Sequence, residues 1–408
     1  MKIEKIRLRH LHGSINVENN FWEERLVQPL DVYRSFSEKG TRGVIPDITG
    51  IDISGKPNSS MSHDAVFIQI ETDEGIHGIG GPITDSIAYI VATQLTKFLI
   101  GTNPLSIEYL WDIMHRSQVH GRQGETMMAI SAVDCALWDL KGKYFGVPVY
   151  VLLGGPTRQK VPAYASMLGF NVTDMGMVKE RALEYKKRGY TAQKWFFRYG
   201  PMSGYEGLKK NVEMVKTVRE TVGDDYDIML DCWQSMDIGY VLKLIKNIED
   251  YNPAWLEECV MPDRVSSYKK IREKTSIPLS GAEHEYTRWG FKRFIDQEAL
   301  DILQPDIYWA GGLSETLKIA TLGTAADLIT IPHGHSTQAG AHFSVTQSPI
   351  HTPYQEYLIK WNVIHQHFLK DPIVPIEGNI KIQTIPGMAM DLDPEKIQKE
   401  EEFLPKLK

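Results

Sequence analysis

The chain reads as an α/β protein whose main body is a parallel β/α barrel, and two observations predict it. Short apolar runs alternate with amphipathic helical stretches at a period of roughly 25–35 residues, eight times over, from residue 161 to residue 358. No Gly-rich phosphate loop follows the first of these runs, which favours a closed barrel over a doubly wound open sheet. The 408 residues are enough for such a barrel with an added unit, and 42% apolar with 24% charged residues is an ordinary globular mixture.

The first 125 residues predict a mixed α+β unit. Residues 2–9 carry a weak strand alternation. Ala65–Glu71 carries a clearer one, with Val66, Ile68 and Ile70 on one face, then Thr72-Asp73-Glu74-Gly75 as a turn and Ile76–Gly80 as the return strand. Residues 10–63 between them are rich in Gly, Ser, Pro and Asn and predict a long loop of the lid type. From residue 129, Ile130, Val133, Leu137 and Leu140 recur at helical spacing, with Gly146 and Pro148 ending the helix.

The eight runs are Val161–Ala165, Ala192–Phe196, Tyr226–Leu230, Trp255–Glu257, Pro278–Gly281, Ile302–Gln304, Leu328–Ile331 and Gln355–Leu358. Helices carrying Leu208, Val212, Val215 and Val222, and then Leu242, Ile245 and Ile248, separate the second, third and fourth. From about residue 366 prolines and glycines break the tail into short pieces, and Lys399-Glu400-Glu401-Glu402 reads as solvated surface.

Composition narrows the function. A net charge of −7 supplies no basic surplus to neutralise phosphates, so no nucleic-acid partner is expected. Cys135, Cys232 and Cys259 form neither a disulfide framework nor a CxxC pair, which fits a reducing compartment. With no uninterrupted apolar segment, no membrane partner is expected, and the expected location is cytoplasmic.

In a parallel barrel the chemistry stands at the C-terminal strand ends, which here carry Lys194, Asp231, Glu257, Glu283, Asp306, His333 and Glu356. Asp231 to Glu257 and Glu257 to Glu283 are both 26 residues apart, so successive βα units would bring three carboxylates to one rim. Such a trio repels itself in a low-dielectric site unless a cation holds it, and all-oxygen ligation suits Mg²⁺. An Asp on one strand beside a His on the next can orient the imidazole and raise its basicity.

These residues resemble a known family. The segment AISAVDCALWDLKGKYFGVPVYVLLGG (129–155), Trp255-Leu-Glu-Glu258, Gly281-Ala-Glu-His284, Gln304-Pro-Asp306 and Pro332-His-Gly334 look like the mandelate racemase subgroup of the enolase superfamily. Phe21-Trp-Glu-Glu-Arg25 and Pro29-Leu-Asp-Val-Tyr33 look like its acid-sugar dehydratases of the rhamnonate dehydratase type. The resemblance implies a (β/α)₇β TIM-like barrel over residues 126–365 and an α+β capping domain over 1–125. A segment over 366–408 would return to complete the cap. It implies Mg²⁺ on Asp231, Glu257 and Glu283, an Asp306–His333 dyad as base, Glu356 hydrogen-bonded to an enediolate oxygen, and a homo-oligomeric enzyme.

The reaction so implied is dehydration of a small-molecule sugar acid to a 2-keto-3-deoxy acid. Epimerisation, racemisation or cycloisomerisation through the same enediolate, and a non-catalytic sugar-acid sensor, are the alternatives. Many relatives carry Lys-x-Lys on the second strand; Phe196 stands at the second lysine here, which disfavours a two-base racemase. Lys194 is then either a base or a charge that offsets the substrate carboxylate. Arg25, His284 and Trp233 are candidate substrate-binding residues. His10 and His12, in or beside the expected lid, read mainly as surface, and Glu258 is expected to point away from the site.

Overall fold

The computed structural model describes residues 1–17, 21–37 and 59–404. Much of the expected lid therefore lies outside the described residues. Four antiparallel strands make the cap sheet in the order β13-β1-β2-β3: β1 (Ile3–Val17), β2 (Ser59–Thr72), β3 (His77–Ile83) and β13 (Lys399–Glu402). Residues 10–17 and 59–63, expected as loop, are thus sheet. Polar alternation is no obstacle there, because one face of this extension packs on the C-terminal segment. At Gly13 a side chain would run into Phe368 and the Lys396 carbonyl.

The acidic tail is also more than solvated surface. Although exposed, β13 is an edge strand whose Glu400 accepts from Arg9 (2.7 Å) and Glu402 from Arg7 (3.1 Å). Cross-strand charge complementarity brings the end of the chain back onto its first strand.

The helix Glu125–Phe145 lies against β3 and ends on Gly146, whose φ of 67° is the left-handed conformation a helix C-terminus favours. A side chain at Gly78 or Gly80 would strike the Ala136 or Ala132 carbonyl, so two glycines let helix and strand approach this closely. The helix also ties the units together. Asp139 accepts from the Ile79 and Met388 N–H groups (2.9 and 2.7 Å), and Asp134 accepts from Ser314 Oγ (2.6 Å) on the helix Gly312–Ala325.

The barrel strands are β4 (Lys160–Ser166), β5 (Ala192–Phe196), β6 (Asp227–Asp231), β7 (Trp255–Glu257), β8 (Leu279–Gly281), β9 (Ile302–Leu303), β10 (Ile329–Thr330) and β11 (Gln355–Leu358). They are parallel; β4 to β10 pair in sequence order, and β11 pairs with β4 on the other side. The fold is a (β/α)₇β barrel with an α+β cap. A further strand, β12 (Asn379–Lys381), adds antiparallel to β4.

Tyr164, Ala192, Met229, Trp255, Ile302 and Ile331 form one buried cluster inside the barrel. Strand side chains alternate with period two, so the next inward residues are Ser166, Lys194, Asp231, Glu257, Gln304 and His333. An apolar floor and a polar mouth follow from the same alternation. No helix among the described residues is long and apolar enough to cross a membrane.

Burial elsewhere makes the fold acid-sensitive. His342, on the helix Thr337–Ser344, is 1% exposed, its Nδ1 accepts from the Tyr150 N–H (3.3 Å), and burial pushes its pKa down to about 4. The unfolded chain then binds the extra proton first, so this stability is present above pH 6.5 and is lost as the pH falls from 6.5 to 4. At about 1.4 kcal/mol per unit, the loss is on the order of 3 kcal/mol. In urea titrations at several pH values, His342→Gln should remove that share of the acid sensitivity; an unchanged pH slope would contradict it.

Candidate active site

Lys194 is the hub of the mouth. Its ammonium group, 1% exposed, lies 3.0 Å from Asp231 Oδ2 and 2.9 Å from Glu356 Oε1, and it also pairs with Glu257. Burial opposes its charge, yet Glu257, Glu356 and Asp231 together hold its pKa well above the ordinary lysine value. Inward register brings its ammonium into contact with three carboxylates.

The carboxylates remain under-compensated. Burial raises Asp231 to about 6, against the pull of Lys194, and Glu283 to about 7, against His333. Glu257 rises to about 8 for the same reason, although Trp255 Nε1 (3.0 Å) and Gln304 Nε2 (2.8 Å) donate to its Oε2. Glu356 goes the other way. Burial works against its charge, but Lys194 and His333 carry it down to about 2, and the Gly334 N–H donates to its Oε2 at 2.9 Å. Lys194 has a single charge to share, and the tetrad Asp231, Glu257, Glu283 and Glu356 exceeds it. Three oxygen-donor side chains at the ends of consecutive strands, each raised by burial, are the donor type a hard divalent cation takes. Among the described residues their oxygens do not all lie within 4.8 Å of one another, and Lys194 contacts Asp231 and Glu257.

Across the mouth, His333 Nδ1 lies 2.7 Å from Asp306 Oδ2, and Nε2 lies 3.5 Å from Glu283 Oε2. Burial alone would lower this imidazole, but Glu283, the Asp306 hydrogen bond and Glu356 raise it to about 10. His284 is placed similarly. Its Nδ1 is 3.0 Å from Glu258 Oε2, and the pull of Glu258 overcomes burial to lift it to about 9.

Glu258 departs from expectation. A φ of 42° breaks strand alternation just after β7, so its fully buried carboxylate supports His284 instead of turning away.

These groups open on one cavity of about 290 Å³, lined at its polar side by Lys194, Asp231, Glu283, His284, His333 and His335. Its other walls are Leu26, Met128, Leu168, Phe196, Leu358 and the tryptophans Trp233, Trp309 and Trp361. Trp233, at φ 40°, is thus a lining residue, whereas Trp195 is fully buried in the packing around the barrel. Cys232 is likewise buried.

Arg25 is not among the cavity-lining residues. It is 7% exposed and forks onto Asp31 with two bonds of 2.9 Å, which anchors the segment that presents Leu26 to the cavity. Sequence reasoning did not single out Leu26, Met128, Leu168, Trp309 or Trp361. His335, two residues beyond His333 in the same run, carried a detectable signal: the inward period of two.

A (β/α)₇β barrel with strand-end carboxylates, a His–Asp pair and an α+β cap defines the enolase superfamily architecture. Residues 177–396 match the family model described as enolase C-terminal domain-like, and residues 55–154 match the N-terminal domain of the mandelate racemase / muconate lactonizing enzyme family. The chain belongs to that family, in the mandelate racemase subgroup.

Among curated proteins it is 31% identical to an L-rhamnonate dehydratase of Saccharopolyspora erythraea, over 97% of each chain. Among solved structures it is similar to a rhamnonate dehydratase from Gibberella zeae complexed with Mg (29% identity, TM-score 0.82, 97% and 95% of the two chains). It is also similar to a 3,6-anhydro-D-galactonate cycloisomerase from Zobellia galactanivorans (28% identity, TM-score 0.75, 98% and 100%).

Proposed function

We propose that this chain is a Mg²⁺-dependent hydro-lyase that dehydrates a sugar acid of the 6-deoxyaldonate class, L-rhamnonate or a close relative, to its 2-keto-3-deoxy acid. The observation that carries the reading is the pairing of His333 with Asp306 directly beside the carboxylate cluster, in a cavity with one polar and one apolar side. Asp231, Glu257 and Glu283 would hold the Mg²⁺. Bound there, the ion offsets the second negative charge that arises when a proton leaves the carbon next to a carboxylate.

The chain's own groups do the rest. Compensating the Glu283 charge removes one of the forces that raise His333, so its Nε2 can accept the C2 proton while Asp306 holds Nδ1. The C–H electron pair moves into the enediolate, whose negative charge the Lys194 ammonium on the cavity wall would offset. The pair then returns to make the C2–C3 single bond a C2=C3 double bond as the C3–O bond breaks, and the proton held on His333 converts the departing hydroxide to water. The resulting enol ketonises. Phe196 and the fully engaged Lys194 offer no second base, which supports elimination over racemisation.

Leu26, Met128, Leu168, Leu358 and Trp361 suit a methyl terminus, and His284 and Trp233 suit the hydroxylated stretch. In this reading residues 1–125 and 366–408 are the cap, 126–365 the barrel, and the helix Glu125–Phe145 is the seam.

The test is a set of sugar acids incubated with enzyme and Mg²⁺ while 2-keto-3-deoxy acid is measured. L-Rhamnonate should exceed its 6-hydroxylated counterpart by roughly tenfold to a hundredfold in kcat/KM, the range an apolar pocket can discriminate. EDTA should abolish turnover and Mg²⁺ restore it. Full activity in exhaustively chelated enzyme, or isomerised product without loss of water, would refute the reading.

A further inference from the structure

One face of the cap sheet gathers a second set of ligand-type side chains, away from the barrel mouth. His10 and His12 stand two apart on β1 and so share a face, and Asp64 is the cross-strand partner of His12 on β2. The two rings lie 4.3 Å apart between centroids, and His12 Nδ1 is 3.0 Å from Asp64 Oδ1. One nitrogen of each ring and one oxygen of Asp64 all lie within 4.8 Å of one another, on half-buried side chains.

His12 Nε2 is buried and has no hydrogen-bond partner among the described residues, an orphaned polar atom that a ligand would satisfy. Two imidazoles tilted by 36° against each other on a half-buried surface, with one nitrogen unused, add little as packing. As a chelate it needs no further rearrangement of the backbone.

We propose that His10, His12 and Asp64 form a binding site for a divalent transition-metal ion of the zinc class, separate from the acidic mouth of the barrel. Two imidazoles and one carboxylate select such an ion over Mg²⁺, which prefers oxygen donors. Zn²⁺ with bonds of about 2.0–2.2 Å places tetrahedral ligand atoms roughly 3.4 Å apart, so side-chain rotation on a fixed sheet closes the triad, and water takes the fourth position.

Burial and the neighbouring His12 lower the pKa of His10, which leaves it as the neutral, coordinating form at neutral pH. Of the charged groups around it, Asp85 favours a cation and Lys399 opposes one, and the Lys399 ammonium is paired with Glu401. A bound ion would clip β1 to β2 across the sheet.

The full-length protein, kept in saturating Mg²⁺ so that the barrel mouth is occupied, is titrated with Zn²⁺ against a chromophoric chelator. Wild type should bind one Zn²⁺ per chain, and its thermal midpoint should rise with Zn²⁺. His10→Gln and His12→Gln should each weaken binding by roughly tenfold or more and lose the thermal shift. Sugar-acid turnover with Mg²⁺ should stay at the wild-type rate in both, because neither residue lines the catalytic cavity. Zinc binding unchanged in both variants, or abolished only by Asp231→Asn, would overturn the site. The catalytic reading does not depend on either result.

Discussion

His333→Asn should lower kcat by about 10³-fold or more, while Mg²⁺ and sugar-acid affinities stay within about threefold of wild type. Asparagine can keep a hydrogen bond to Asp306 but has no lone pair with the basicity to take a carbon-bound proton. Both halves of the proposed reaction pass through this imidazole, so the loss should also remove exchange of the C2 proton with D₂O, measured by NMR. An epimerase with a second base would still exchange that proton. Wild-type exchange or turnover in His333→Asn would therefore remove the His333–Asp306 pair from the mechanism.

Lys194→Met should be nearly as damaging, by a different route. Methionine fills similar space but leaves Asp231, Glu257 and Glu356 without the ammonium that contacts all three. Breaking a buried ion pair from one side typically costs 3–5 kcal/mol, and this lysine serves three partners, so a loss of about that size is expected in EDTA.

Urea midpoints would show it, and saturating Mg²⁺ should recover part of the loss by supplying positive charge to Asp231 and Glu257. The pH sign follows from the same groups. Carboxyls raised in the folded state lend their stability below their unfolded pKa and lose it as the pH rises through the folded value. Without Lys194 they rise further, so the deficit should grow from about pH 5 towards pH 9. A variant as stable as wild type in EDTA across that range would contradict the hub role.

Most of the barrel was legible in the chain. Buried parallel strands are short apolar runs, and each of the eight predicted runs overlaps an observed strand. The strand-end positions of Lys194, Asp231, Glu257 and His333 were legible for the same reason, since a period of two carries the inward face from floor to mouth. Residues 10–17 and 59–63 were missed because polar, Gly-containing strands lack that contrast. The acidic tail was missed because its partners, Arg7 and Arg9, lie nearly four hundred residues away in the chain.

What the sequence determined by itself was the periodic arrangement and the residue types at each strand end, because alternation and helical spacing are local properties of the backbone. The tertiary structure decided which groups meet. Arg25 turned to Asp31, Glu258 turned back under a positive φ to support His284, and Lys194 became shared among three carboxylates. Those outcomes depend on distances between residues far apart in the chain and on burial, which sets the strength of each charge. Neither quantity exists until the barrel has closed and the cap has settled over it.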